Sequence, residues 1–235
     1  CSSDLYTDVD GIYTTDPRIV PEARLLDQIS YEECSEMAYQ GAKVMHPRAV
    51  EIASQKPAIE LFVRSTFTDS RGTLICDSRR QLPDGADLPG RGEAVGVALM
   101  RRQGILKAEG LDGSRKAAIL RALSELRLMA LDIHPEEDHL TLVMEDQAVA
   151  GIREVLGRMG LEGRWLTGLN KISVILDAVQ PAPELYGDFL ERIEGLGVTV
   201  EAAIAHGRVM SAWIQDEAEE AIRAVHGLVG VKSPA

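Results

Sequence analysis

The chain has 235 residues, of which 45% are hydrophobic and 26% charged. That is the balance of an ordinary folded protein, with room for one large domain or two to three small ones. Lys and Arg number 25 against 37 Asp and Glu, a formal charge of −12, and aromatics make up only 4%. This composition opposes nonspecific binding to nucleic acid or an anionic membrane, and it supplies too few rings for a single-strand stacking platform.

The longest apolar runs fall far short of the roughly 18 residues of a membrane span. Cys1, Cys34 and Cys76 are too few and too scattered for a disulfide framework or a CxxC metal pair. A cytoplasmic location is therefore expected. The chain opens at Cys1 directly on a dense motif, CSSDLYTDVDGIYTTDPR, with no basic and apolar leader. It is expected to be a piece of a longer polypeptide.

An apolar strand is expected ahead of the polar cluster that starts at Thr7, with Gly11 permitting a tight turn. Ser30 is placed to cap a helix from Tyr31, with Glu32 and Glu33 in the first turn, where the helix dipole favours anions. Pro47 should end that helix and open another, Pro47 to Gln55. Ile59 to Phe67 reads as a strand by its β-branched and aromatic content, Arg71-Gly72 as a turn, and Thr73 to Ile75 as a short return strand. A proline- and glycine-rich stretch over 81–94 reads as a linker.

Beyond it the sequence repeats with a shift of about 70 residues. Ile119, Leu120, Leu123 and Leu126 match Phe189, Leu190, Ile193 and Leu196. Asp146, Ile152, Arg153 and Val155 match Asp216, Ile222, Arg223 and Val225. Each unit reads strand, helix, strand, strand, helix: near 97–110, 115–129, 131–136, 139–145 and 148–159, then near 169–177, 183–196, 198–205, 208–215 and 217–228. Such a βαββα unit makes an antiparallel sheet with helices on one face, a ferredoxin-like arrangement.

No Walker motif, GxGxxG fingerprint, HExxH or GxSxG elbow occurs. His134-Pro-Glu-Glu-Asp-His139 gathers ligand types that either bind a metal or cover a charged hairpin tip, and the mixed donors favour the tip. Thr7, Asp8, Asp10, Tyr13, Thr14, Thr15, Asp16 and Arg18 form a loop rich in hydroxyls and carboxylates. It either accepts hydrogen bonds from a ribose or purine, with Arg18 forking a phosphate, or is a surface turn whose Asp and Thr side chains satisfy one another. In Gly41-Ala42-Lys43-Val44 two small residues let a ligand approach the backbone and Lys43 offers a point charge, although a glycine and lysine at a helix end are common.

Taken together, TDVDGIYTTDPRIVPEARLLDQISYEE, EMAYQGAKVMHPRAVEIA and IELFVRSTF…GTLI resemble the aspartokinase family, from Tyr6 to about Ile75. The repeats beyond resemble the tandem ACT domains that follow the kinase domain in that family. The resemblance implies an α/β fold. It comprises the C-terminal part of an amino-acid kinase domain (residues 1–80), a linker (81–94), and two ferredoxin-like βαββα ACT repeats (95–166 and 167–235).

It further implies transfer of the ATP γ-phosphoryl group to the side-chain carboxylate of L-aspartate, the entry to lysine, threonine and methionine biosynthesis. Thr7, Asp8, Tyr13, Arg18, Lys43 and Val44 would contact ATP, and Mg²⁺ would be carried on its phosphates. The family's KFGGTS, SGRG-type and RGGSD segments are not found here, so most of the aspartate site would lie outside this chain, which alone is expected to be inactive. The alternative is a non-catalytic regulatory subunit with an amino-acid-sensing ACT pair.

By the same resemblance a lysine or threonine effector would meet Asp112, Gly113, Arg115 and Asp132. The first repeat departs from the family here. Its turn reads Asp112-Gly113-Ser114-Arg115 in place of a Pro-Gly turn, and Ala130 stands at an asparagine position. The second repeat reads Ala182-Pro183-Glu184 before its helix. Loss of these anchors argues for weak effector binding, because a buried ligand charge needs partners. The open strand edges of ACT units favour a homo-oligomer.

Overall fold

The structure is a computed structural model that describes residues 2–42, 45–55, 60–77, 93–177 and 181–230. Residues 81–92 of the linker expected over 81–94, together with Lys43 and Val44, lie outside the described residues, whereas its last two residues are buried and Ala94 opens a strand. The chain divides into two compact units, one of residues 1–100 and 171–235 and the other of residues 101–170. The segment read as kinase portion and most of the second repeat (171–235) thus share a unit, together with residues 95–100 of the first repeat, and the remainder of the first repeat lies in the other.

In the larger unit a four-stranded sheet runs in the order β1 (Ser2–Thr7), β3 (Glu60–Ser65), β4 (Thr73–Cys76), β2 (Gln28–Ser30). β1 lies parallel to β3, with Thr7 opposite Ser65, and β2 lies parallel to β4, while β3 and β4 form an antiparallel hairpin. Leu61, Val63 and Ser65 point inward on alternate positions of β3, as a half-buried strand requires. The strand expected before the polar cluster is there, but it is not apolar. β1 reads SSDLYT, with Leu5 and Tyr6 exposed, because it stands at the edge of the sheet among the described residues.

Helix α1 (Tyr31–Tyr39) starts in a capping box. Ser30 accepts from the Glu33 amide at 3.2 Å, and the Glu33 carboxylate accepts from the Ser30 amide at 2.9 Å. Tyr31, Cys34 and Met37 turn into a core shared with Ile12, Ile29, Val50, Val63 and Ile75. The helix does not run on to Pro47. It stops at Tyr39, and Gly41 takes φ +101°, with the Ala42 amide closing onto the Met37 carbonyl at 2.9 Å. A Cβ on Gly41 would lie 3.0 Å from the Leu99 carbonyl oxygen, so both the backbone angle and the close approach require glycine there. Pro47 then opens α2 (Pro47–Ser54) as expected.

The same unit contains the second repeat: β8 (Arg164–Leu176, its end from 171 onward), α5 (Pro183–Glu194), β9 (Val200–His206), β10 (Val209–Ile214) and α6 (Ala218–His226). β10 lies between β8 and an antiparallel β9. Ile172, Val174, Met210, Ala212 and Ile214 meet Phe189, Ile193, Ile222 and Val225 from the two helices. Val20, Ala94 and Val97 close the same core.

The smaller unit holds most of the first repeat. The later part of β5 (Ala94–Glu109) pairs antiparallel with β7 (His139–Glu145), which pairs antiparallel with β6 (Asp132–Pro135). Helices α3 (Gly113–Glu125) and α4 (Asp146–Arg158) cover one face through Ile119, Leu123, Ile152 and Leu156. The helix expected to reach 129 ends four residues earlier. Arg127 turns to φ +54°, and the Leu128 amide folds back onto the Leu123 carbonyl at 2.9 Å. Each repeat is thus a βαββα unit, and the fold is mixed α/β as the sequence indicates. No described helix is long and apolar enough to cross a membrane.

Candidate functional site

The hydroxyl- and carboxylate-rich loop leaves the carboxyl end of β1, and the adjoining parallel strand β3 ends beside it. In open α/β sheets this is where ligands bind, because the connections diverge there and leave a crevice. The Thr7 hydroxyl donates to Asp8 Oδ1 at 3.1 Å and accepts from the Val9 amide at 3.2 Å. Thr66, just past β3, donates its amide and hydroxyl to the Thr7 carbonyl at 2.8 and 3.0 Å. Asp10 accepts from Thr68 at 2.5 Å and from the Tyr13 hydroxyl at 3.4 Å. Burial first, then the Asp10 carboxylate, raises the Tyr13 pKa, so its phenol stays protonated and can donate.

The loop doubles back on itself. Tyr13 bridges Leu25, the Thr14 amide donates to the Arg24 carbonyl at 2.9 Å, and the Leu26 amide donates to the Ile12 carbonyl at 2.8 Å. Its base is clamped by Thr73, whose hydroxyl accepts from the Ile12 amide at 2.8 Å and donates to the Leu26 carbonyl at 2.6 Å. Gly11, at φ +150°, passes so close that a Cβ would lie 2.6 Å from that hydroxyl.

Thr14 and Thr15 are buried, so they are part of the scaffold and not of a ligand-facing surface. Arg18 stands at the far tip with its side chain 81% exposed. Asp16 holds it in a fork, with contacts of 2.9 and 2.7 Å to Nε and Nη2, and accepts from the Arg18 amide at 2.9 Å. The structure therefore gathers Thr7, Asp8 and Tyr13 near the strand ends and presents Arg18 on the same loop, held in one orientation by Asp16. Lys43 and Val44 lie outside the described residues, although the turn that leads to them is fixed by Gly41. Sequence reading passed over Thr66 and Thr68. Their signal was the parallel pairing of β3 with β1, which puts TFT beside TDVD.

The other candidate set lies in the smaller unit. Asp112 caps α3, accepting from the Arg115 amide at 2.8 Å and the Ser114 hydroxyl at 2.7 Å. The Arg115 amide chiefly, with the Ser114 hydroxyl, holds its carboxyl below the usual carboxylate range. Gly113 is the first residue of the helix, and Arg115 reaches the Gly110 carbonyl at 3.4 Å. The buried Lys116 donates to the carbonyls of Glu136 and, at 2.8 Å, Glu137, and the Leu111 amide donates to the Asp138 carbonyl at 2.8 Å. The turn is thereby tied to the β6–β7 tip.

Asp132 is not with them. It pairs with Val143, at the other end of the hairpin from the tip. The HPEEDH segment forms the end of that hairpin, where His139 contacts Asp138 at 2.9 Å and Glu136 at 3.0 Å. The hydrogen bond with Asp138 is the main cause that raises the His139 pKa. Among the described residues no three His, Cys, Asp or Glu converge as a metal site.

The family model described as "Amino acid kinase family" matches residues 3–65, which run from β1 through the loop and both helices to the end of β3. Aspartokinase of Thermus thermophilus is 29% identical over 238 aligned residues, covering 95% of this chain and 56% of that protein. The crystal structure of aspartate kinase from Clostridium acetobutylicum superposes with a TM-score of 0.82 at 19% identity, over 97% of this chain and 54% of that one. Escherichia coli aspartokinase III, solved with aspartate and ADP, superposes with a TM-score of 0.79 at 25% identity, over 95% of this chain and 51% of that one.

The chain is similar to aspartokinases over nearly its whole length. It spans about half the length of the aspartokinases it matches. In aspartokinase terms the larger unit carries the kinase-family segment together with most of the second repeat, and the smaller unit carries most of the first repeat.

Proposed function

We propose that this chain is the nucleotide-side, C-terminal part of an aspartokinase that transfers the ATP γ-phosphoryl group to the side-chain carboxylate of L-aspartate. The observation that carries the reading is the loop at the carboxyl ends of β1 and β3, inside the segment the kinase family model matches. There the neutral Tyr13 phenol and the Thr7 and Asp8 oxygens would face base and ribose and the exposed Arg18 would serve the phosphates, a role that Lys43 would share by the family resemblance. Phosphoryl transfer asks the protein mainly for positioning and charge stabilisation. Asp16 takes the Nε and Nη2 edge of Arg18 and orients the side chain, so a phosphate would meet the exposed guanidinium from its other edge.

Mg²⁺ would arrive on the ATP phosphates, where it would neutralise developing charge. β1 stands at the edge of the described sheet, where a further strand of a kinase sheet would pair with its backbone. The product feeds lysine, threonine and methionine synthesis, with a second copy pairing through the repeats and a weakly held lysine or threonine as effector. The test is capture of 4-phospho-L-aspartate as its hydroxamate. The intact protein should form it from MgATP and aspartate, and this chain alone should not. An intact protein that phosphorylates a different acceptor, or none, overturns the reading.

A further inference from the structure

The buried side of the nucleotide loop is built by the last helix of the second repeat. Val20 inserts among Phe189, Ile222, Val225 and Leu228 and is only 3% exposed. Arg223 Nε donates to the Ile19 carbonyl at 3.1 Å. The Val97 amide donates to the Thr14 carbonyl at 2.7 Å. The Thr14 hydroxyl oxygen, already accepting from the Arg24 amide at 3.0 Å, lies 2.9 Å from His226 Nε2. Because that oxygen takes the Arg24 N–H, its own proton is free to go to His226, and the arrangement is satisfied when Nε2 carries a lone pair.

We infer that His226 is a positioning residue for nucleotide binding: through Thr14 it fixes the loop that presents Tyr13 and Arg18, which makes α6 of the second repeat a structural part of the nucleotide site. This inference rests on the nucleotide reading proposed above. Arg223 and His226 meet the loop at the Ile19 carbonyl and at the buried Thr14, on either side of Arg18 in the chain, so α6 would set where Arg18 stands.

A pH signature follows. The groups facing His226 from the loop are Arg24 and Glu22, and Arg223 lies one turn back on α6. Burial chiefly, then Arg24, holds the His226 pKa below its ordinary value, with Glu22 opposing, so the ring is neutral at neutral pH. Acid turns Nε2 into a donor, so the Thr14 O–H must rotate away, and the added charge, disfavoured by burial and by Arg24, loosens the tie as pH falls through the His226 pKa.

The experiment is the calorimetric affinity of the intact protein for MgATP between about pH 8 and about pH 5.5. It compares wild type with His226→Leu, His226→Gln and Thr14→Val. At the alkaline end His226→Leu and Thr14→Val should each bind roughly three- to tenfold more weakly, the scale of one neutral hydrogen bond. His226→Gln, which keeps an acceptor at that reach, should stay near wild type, and only the wild type should weaken further in acid through this tie.

Thr14→Val provides the same reading if His226→Leu does not fold. Wild-type affinity and acid profile in His226→Leu or Thr14→Val overturn the inference. So does equal weakening in the Leu and Gln variants with an equal loss of thermal stability, which would mean packing alone. Arg18→Ala and Lys43→Ala separate the two levels. If they weaken MgATP binding and His226→Leu does not, the positioning role fails alone. If they too leave it unchanged, the nucleotide reading fails and the inference goes with it.

Discussion

Ile119, Leu123, Leu142 and Ile152 of the first repeat close a core made entirely of that repeat's own residues, whereas the corresponding face of the second repeat, around Phe189, Ile193 and Ile222, is completed by Val20 and Ala94 from outside it. Two copies of one βαββα pattern thus serve different ends. The first ties its β5–α3 turn to its own hairpin tip through Lys116 and caps it with Asp112. The second leaves its last helix available to a loop from the kinase segment, which α6 meets with Val225, Arg223 and His226. The pattern determines the unit. What the unit packs against is decided by a few residues that the pattern does not contain.

The sharpest way to break this comparison is Val20→Asp. A carboxylate placed among Phe189, Ile222 and Val225 has no partner, and the loss should be roughly 3 kcal/mol or more. Denaturant unfolding followed by hydrogen exchange should confine the loss to residues 1–100 and 171–235. Ile133→Asp on the exposed face of β6, at 46% exposure, should change stability by no more than about 0.5 kcal/mol.

Lys116→Met removes the donor to two hairpin carbonyls and should cost about 1–3 kcal/mol, confined to residues 101–170 in the same experiment. A loss spread over both units would mean that the first repeat does not stand on its own core.

Asp112→Ala should lower the melting temperature of the smaller unit by a few degrees, and Asp112→Asn, which keeps the cap, by less. The sign with pH is fixed. The folded-state pKa is depressed, so the stabilisation is present above the ordinary carboxylate range and is lost as pH falls through the lowered value. In Asp112→Asn that acid-linked loss should vanish.

The smallest effect expected is a near absence. With the α3 turn satisfied by its own Asp112 and Lys116, and Asp132 at the far end of the hairpin, calorimetric titration of this chain with lysine or threonine should give millimolar binding or none. A micromolar constant for either would show that the turn opens to a ligand.

Much of this was legible in the sequence, and the exceptions share a cause. The internal repeat placed all ten of its elements, because the period of apolar residues is set locally by helix and strand geometry. The capping box at Ser30 and Glu33 and the proline start of α2 were legible for the same reason. The end of α1 was not. The stop is imposed by Gly41 lying against Leu99, a contact between residues 58 apart in the chain. Nor were the burial of Thr14 and Thr15 or the tie to His226, because a hydroxyl reads alike in sequence whether it meets a ligand or a helix 212 residues away. Thr7, Asp8 and Tyr13 stand together in the structure because they share one short segment. Thr66 and Thr68 needed the pairing of β1 with β3.

The central claim, that the loop presented by the larger unit binds the nucleotide, is tested most directly by steady-state kinetics of Arg18→Ala in the intact protein. The account predicts that KM for MgATP rises roughly tenfold or more, the scale of a charged hydrogen bond to phosphate, while KM for L-aspartate and the melting temperature stay near wild type. An unchanged KM for MgATP, or an equal rise for both substrates, would contradict it.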